Sequence, residues 1–313
     1  MPTTGAIRRI NGLSRYPGIV LLLCAFSKPT TVESSTHAPS TQALLTADSL
    51  ASLNSSLQIV NPTNNFHREV RNKLLTLSAT SSFFKQALDA VDKKGYEFVL
   101  YDENDSDIPQ RVHDVMSEEG CDAITFKNIK KVHIKQDGLN THAAETGTSP
   151  ETQFLAMLAN EATHIILDDI PKEDSDFGSR LTEEETKDEV KAMKDSKEYT
   201  ELEIDFHKIL NEEILSQVVE DIIVKQQDNP NFKLKKKELF SQDTYRMRLI
   251  QIKFGIATPV FERIFNIDSL SDLSEEDGDF VLDRVHKYLF SGDIENYLAI
   301  KLKDFGLLGE EKN

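Results

Sequence analysis

The sequence predicts an α+β fold, mostly helical: a small antiparallel or mixed sheet, then an active-site-type helix, then a helical C-terminal half. Three observations carry this. Strand-like runs occur only between residues 96 and 134. One long apolar helix follows them directly. Nearly every later segment has apolar residues at helical spacing.

The chain has 313 residues, 39% hydrophobic and 28% charged, as expected for a globular protein with solvated segments. Its formal net charge is −17, from 53 acidic and 36 basic residues. A surface this acidic repels nucleic acid and anionic membranes, and neither is an expected partner. There are two cysteines, Cys24 and Cys121. Cys121 has no internal disulfide partner in the body and no Cys-x-x-Cys spacing, so it reads as a small core residue.

Residues 1–27 read as a secretory signal. Arg8, Arg9 and Arg15 precede the short apolar run Gly18–Phe26, and Ala25-Phe26-Ser27 fits a cleavage site. The alternative is an amphipathic N-terminus that is retained. The run is too short to be a stable transmembrane anchor. The expected location is therefore secreted, periplasmic or otherwise extracytoplasmic. Residues 28–60, rich in Ser and Thr, read as a disordered linker. Residues 61–230 should form the α+β domain and 231–313 a helical subdomain.

Phe66–Leu77 and Ser82–Val91 have helical spacing, with Lys93-Lys94-Gly95 as a stop. Tyr96–Tyr101 reads as a strand. Asp102–Pro109 is an acidic loop that lacks the Gly and terminal Glu of a calcium site. Ala123–Phe126 and Val132–Ile134 read as two short strands, and Gln136–Ser149 as a loop. In Ser149–Asp169, Ser149 is an N-cap, Pro150 suits the first helical position, and Glu151 complements the helix dipole. Thr182–Lys197 reads as an exposed, charge-rich helix. Tyr199–Gln226 reads as a helix or helix pair whose apolar face is Leu202, Phe206, Leu210, Ile214, Leu215, Val218, Val219 and Ile222. Lys233–Lys237 is a solvated basic patch. A helical segment over Asp243–Phe265 is expected to break near Thr258-Pro259. Ser271–Asp277 reads as an acidic linker, and Phe280–Phe290 and Asp293–Phe305 as closing helices around Ser291-Gly292.

The chemistry-bearing motif is Asn160-Glu161-Ala162-Thr163-His164. Residues four apart share a helix face, so Asn160 and His164 point the same way with Glu161 beside them. This is the spacing of His-Glu-x-x-His, with Asn160 where the first histidine stands. His164 is a competent ligand, and Glu161 is placed as a general base for metal-bound water. An Asn carbonyl is a poor substitute for imidazole on zinc, so zinc binding should be weak or absent. A further ligand is expected from Asn211–Glu220: Glu213 is favoured for its place beside Ile214 and Val218, with Glu212 and His207 as alternatives. His133 and His142 could approach the site.

The order of strands, an Asn-Glu-x-x-His helix and a later helix with Asn211-Glu212-Glu213-Ile214-Leu215-Ser216 resembles the zincin metallopeptidases, in their gluzincin branch. The resemblance covers about residues 95–226. By position it implies metal-ligand roles for His164 and Glu213, a general-base role for Glu161, and Asn160 in the place of a lost ligand. The functional expectation is a secreted degenerate metallopeptidase, a pseudoenzyme that binds a protein or peptide. The alternatives are a weakly active metal-dependent peptidase using Glu161, or a helical interaction protein unrelated to zincins.

Overall fold

A computed structural model describes residues 57–59, 65–101, 108–119, 122–126, 129–167, 181–241, 244–264 and 273–309. The signal-like segment, both cysteines and most of the expected linker and acidic loop lie outside these residues. The fold is α+β and mostly helical, as the spacing of apolar residues implies.

The chain opens with β1 (Leu57–Ile59), α1 (Asn65–Thr80), α2 (Ser82–Lys94) and β2 (Glu97–Tyr101). β1 falls within the stretch read as linker, and it pairs with β2 in parallel. Gly95 ends α2 at φ 72°, a left-handed conformation that glycine takes without steric cost. Next come α3 (Gln110–Glu119), β3 (Ala123–Phe126), β4 (Lys131–Lys135) and α4 (Gln136–Thr146). α4 occupies the expected loop: Leu139 and Ala143 are buried one turn apart, Asp137 lies in the first turn and Gly147 caps the end at φ 69°.

The sheet order is β1-β2-β4-β3; β1, β2 and β4 are parallel, and β3 is an antiparallel edge. Alternation along the strands sends Phe98, Leu100, Val132 and Ile134 into the main core, and Val99, Tyr101 and His133 to the opposite face.

α5 (Pro150–Leu167) crosses the main-core face, burying Phe154, Leu155, Leu158, Ala162 and Ile165. Ser149 caps it as expected, accepting from Thr152 N at 3.2 Å. Lys94 Nζ donates to Ile165 O at 2.6 Å and satisfies a carbonyl of the last turn. α6 (Glu183–Asp195) and α7 (Glu201–Asp228) follow, each opened by a capping box, at Thr182/Glu185 and Thr200/Glu203. α7 is one continuous helix, and its expected apolar face is buried except at Leu202, which is half-buried.

The C-terminal part comprises β5 (Leu234–Lys235), α8 (Lys236–Phe240), α9 (Thr244–Ile264), α10 (Glu275–Leu289), α11 (Gly292–Asp304) and β6 (Leu308–Gly309). α9 runs through Thr258 and Pro259 without the expected break. α10 begins inside the expected acidic linker, with Ser274 as N-cap and three acidic residues complementing the dipole. One core joins both halves of the body, from Val70 and Phe154 through Ile222 to Leu249, Val285 and Leu302. Ser82 Oγ donates to Phe305 O at 2.8 Å, tying the end of the C-terminal helices to α2.

Candidate functional site

The site is the seam between α5 and α7, closed on one side by β3. His164 of α5 meets Glu212 of α7, while Asn160, one turn earlier on α5, meets Glu220, two turns later on α7. The two helices therefore run in opposite directions. Ala159, Ala162 and Thr163 on α5, and Ser216 on α7, are small or short side chains and all are buried. Ser216 Oγ turns back to Glu213 O at 2.9 Å, so its hydroxyl is satisfied within its own helix.

Asn160, Glu161 and His164 all face the seam, as their spacing predicts. His164 Nδ1 donates to Glu212 Oε1 at 2.7 Å, and Nε2 lies 3.9 Å from Glu213 Oε2. Both candidate carboxylates thus reach His164, and the one passed over, Glu212, makes the direct bond. His164 is only 13% exposed. Burial on its own would lower the imidazole pKa. The charges of Glu213, Glu212 and Glu161 and the Glu212 hydrogen bond outweigh it and push the pKa up to about 9.

Glu161 Oε2 accepts a 2.5 Å hydrogen bond from Thr125 Oγ1 of β3. Register places Thr125 opposite Val132, on the sheet face turned to α5. Burial raises the Glu161 pKa; His164 and Thr125 pull it back, and the charge of Glu213 adds to the rise. Asn160 Nδ2 donates to Glu220 Oε2 at 2.8 Å. Burial likewise raises Glu220, with Asn160, Gln217 and the nearby His142 acting against it and Asp221 with it.

Of the histidines weighed from sequence, His142 approaches the site and the others go elsewhere. It lies on α4, close enough for its charge to act on Glu220, and its Nε2 is 3.1 Å from Asp122 Oδ2. Asp122 in turn lies against Gly138, where a Cβ would fall 2.2 Å from its carboxyl carbon. His207 is not brought to His164. It stacks on Tyr288 at 3.4 Å and meets Tyr199 edge-on, on the side of α7 facing α10. His133 lies on the far face of the sheet.

A metal ligand must present a lone pair. Asn160 points its amide protons at Glu220, and the carboxylates around His164 raise its pKa and so favour the protonated ring, which has no lone pair free. Among the described residues no three His, Cys, Asp or Glu side chains are grouped so as to hold an ion. These side chains do not fit a zinc centre as they stand. Their arrangement is instead a hydrogen-bonded cluster in which the charge on His164 offsets the surrounding carboxylates.

Sequence reasoning missed Thr125 and did not single out Glu220. Only Glu220 left a signal: it stands eight residues after Glu212, on the same helix face. No helix among the described residues is long and apolar enough to cross a membrane. No protein-family model, curated protein or solved structure matches the chain.

Proposed function

We propose that this chain is a zincin-like protein whose metal centre has given way to a carboxylate–imidazole cluster, and that it acts as a secreted, non-catalytic binder of a protein or peptide. The observation that carries the reading is the Asn160–Glu220 hydrogen bond. At the helix position where a metallopeptidase needs a lone pair, this chain supplies a proton donor. The element order supports the scaffold: a mixed sheet ending in an antiparallel edge, a crossing helix with Glu161 and His164, and a second helix bringing carboxylates to it. A peptide ligand is supported by the edge strand β3, which pairs only with β4 among the described strands. Its outer backbone groups can accept an extended segment beside Glu161.

The test is metal content and hydrolysis measured together. Wild-type protein is expected to take up no stoichiometric zinc and to leave an unfolded casein substrate uncut. The Asn160→His variant is expected to gain about one equivalent of zinc, and to lose it when His164→Ala is added. Zinc-dependent cleavage by the wild type, abolished in Glu161→Gln, would show an active peptidase. No zinc uptake by Asn160→His would overturn the zincin-like reading itself.

A further inference from the structure

The sheet carries a second, smaller core on the face turned away from α5. Val99 and Tyr101 of β2, Ile108, and Val112 and Met116 of α3 form it, with Ile124 and Phe126 of β3 at its margin. His133 sits among them. It is 3% exposed, and neither ring nitrogen has a hydrogen-bond partner. Val99 and Ile124 oppose it on the neighbouring strands. The rings of Tyr101 and Phe126 meet it edge-on at 5.9 and 5.5 Å.

Among the described residues no partner stands ready for a proton on this ring. From β3 it faces only the apolar Ile124 and Phe126. From β2 it faces Tyr101, whose hydroxyl is directed at Met116 Sδ at 3.0 Å. From α3 the nearby titratable group is His113, itself edge-on to Tyr101 at 5.5 Å. Its own strand adds Lys131. Burial, then the electrostatic influence of Lys131 and His113, lowers the His133 pKa to about 4. A buried polar ring with both nitrogens unpaired costs stability that a leucine would not. Among the described residues, α3 reaches this core through Val112 and Met116 alone.

We propose that His133 makes the α3 cover acid-labile: its protonation releases α3 from the sheet while the α5–α7 seam stays folded. Released α3 exposes the back of β3, the edge strand whose front holds Thr125 against Glu161.

Hydrogen exchange of the full chain between pH 7 and pH 5, corrected for intrinsic exchange, tests this. With pKa values of 6.5 in the open state and about 4 in the closed one, opening of α3 should increase roughly 20-fold over that range. The amides of α5 and α7 should keep their protection. His133→Phe should remove the pH dependence of α3. Unchanged α3 protection in the wild type, or an equal loss in His133→Phe, overturns the proposal. Should His133→Phe misfold, the wild-type His133 ring resonance decides: the ring must stay neutral down to about pH 5 while α3 protection falls. A ring that titrates near 6.5 while α3 stays protected also overturns it.

Discussion

Asn160 and Glu220 share one hydrogen bond of 2.8 Å across two antiparallel helices, and that bond defines what the seam can do. It turns the amide protons of Asn160 toward α7 and gives a desolvated carboxylate its donor. A residue that would be a ligand in a metal centre is here a donor to a carboxylate.

Removing that donor should be costly. Asn160→Ala leaves Glu220 half-buried with one partner fewer, and should destabilise the fold by about 1–3 kcal/mol at neutral pH. Asn160→Asp should cost more, because it places a second carboxylate against the first. Its loss should shrink on acidification, since the raised Glu220 then takes a proton. Urea denaturation at two pH values checks both.

Thr125→Val should move Glu161 in a known direction. The Thr125 hydrogen bond holds the Glu161 pKa down against burial. Without it, the pKa should climb further, with a stability loss of about 1 kcal/mol. Carboxyl carbon shifts followed through a pH titration report it.

The histidines pull the pH–stability profile in opposite directions. His164 has a folded pKa of about 9, above its ordinary 6.5. Its contribution is full below pH 6.5 and is lost as the pH rises toward 9, an effect on the order of 3 kcal/mol. Burial lowers His133 and His207 to about 4, so their contributions are present above 6.5 and lost as the pH falls toward 4. Stability from these groups should peak near neutrality, and His164→Gln should flatten the alkaline side alone. Melting temperature against pH tests this.

Arg284 and Glu203 lock α10 onto the first turn of α7. Both Arg284 Nε and Nη2 donate to the Glu203 carboxylate at 2.6 Å, and the guanidinium lies 5.2 Å from the Tyr199 ring centre. Glu203 is buried and also closes the capping box with Thr200. Arg284→Ala should therefore cost about 3–5 kcal/mol, because it leaves a buried carboxylate short of its counter-charge. Arg284→Lys should recover only part, since an ammonium cannot reproduce the two-pronged contact. Thermal melts of the two variants rank them.

Periodicity exposed the parts of the fold that one face of one element decides. The strands Glu97–Tyr101 and Ala123–Phe126, the capped α5 and the apolar face of α7 were all legible from their own residues. Elements whose signal is weak or shared were not. α4 has a glycine and few apolar residues, and its helix rests on Leu139, Ala143 and the Gly147 cap. β1 is three residues long and exists by pairing with β2. In the site, Asn160, Glu161 and His164 were legible because they lie on one helix. Thr125 and Glu220 were not, because strand register and the crossing of two helices bring them in; the place of Glu220 on the helix face of Glu212 is the one local trace. The preference for Glu213 over Glu212 followed burial along α7 alone; the direct bond to His164 depends on where α5 crosses.

Every polar group of the seam is carried by regular structure: Thr125 by a strand, and Asn160, Glu161, His164, Glu212, Glu213 and Glu220 by two packed helices. None sits on a loop. A ligand reaching this seam would find its contacts already set, with little chain entropy left to lose on binding. Recognition there would be rigid docking, selective for shape, with little capacity to adapt to a second kind of guest.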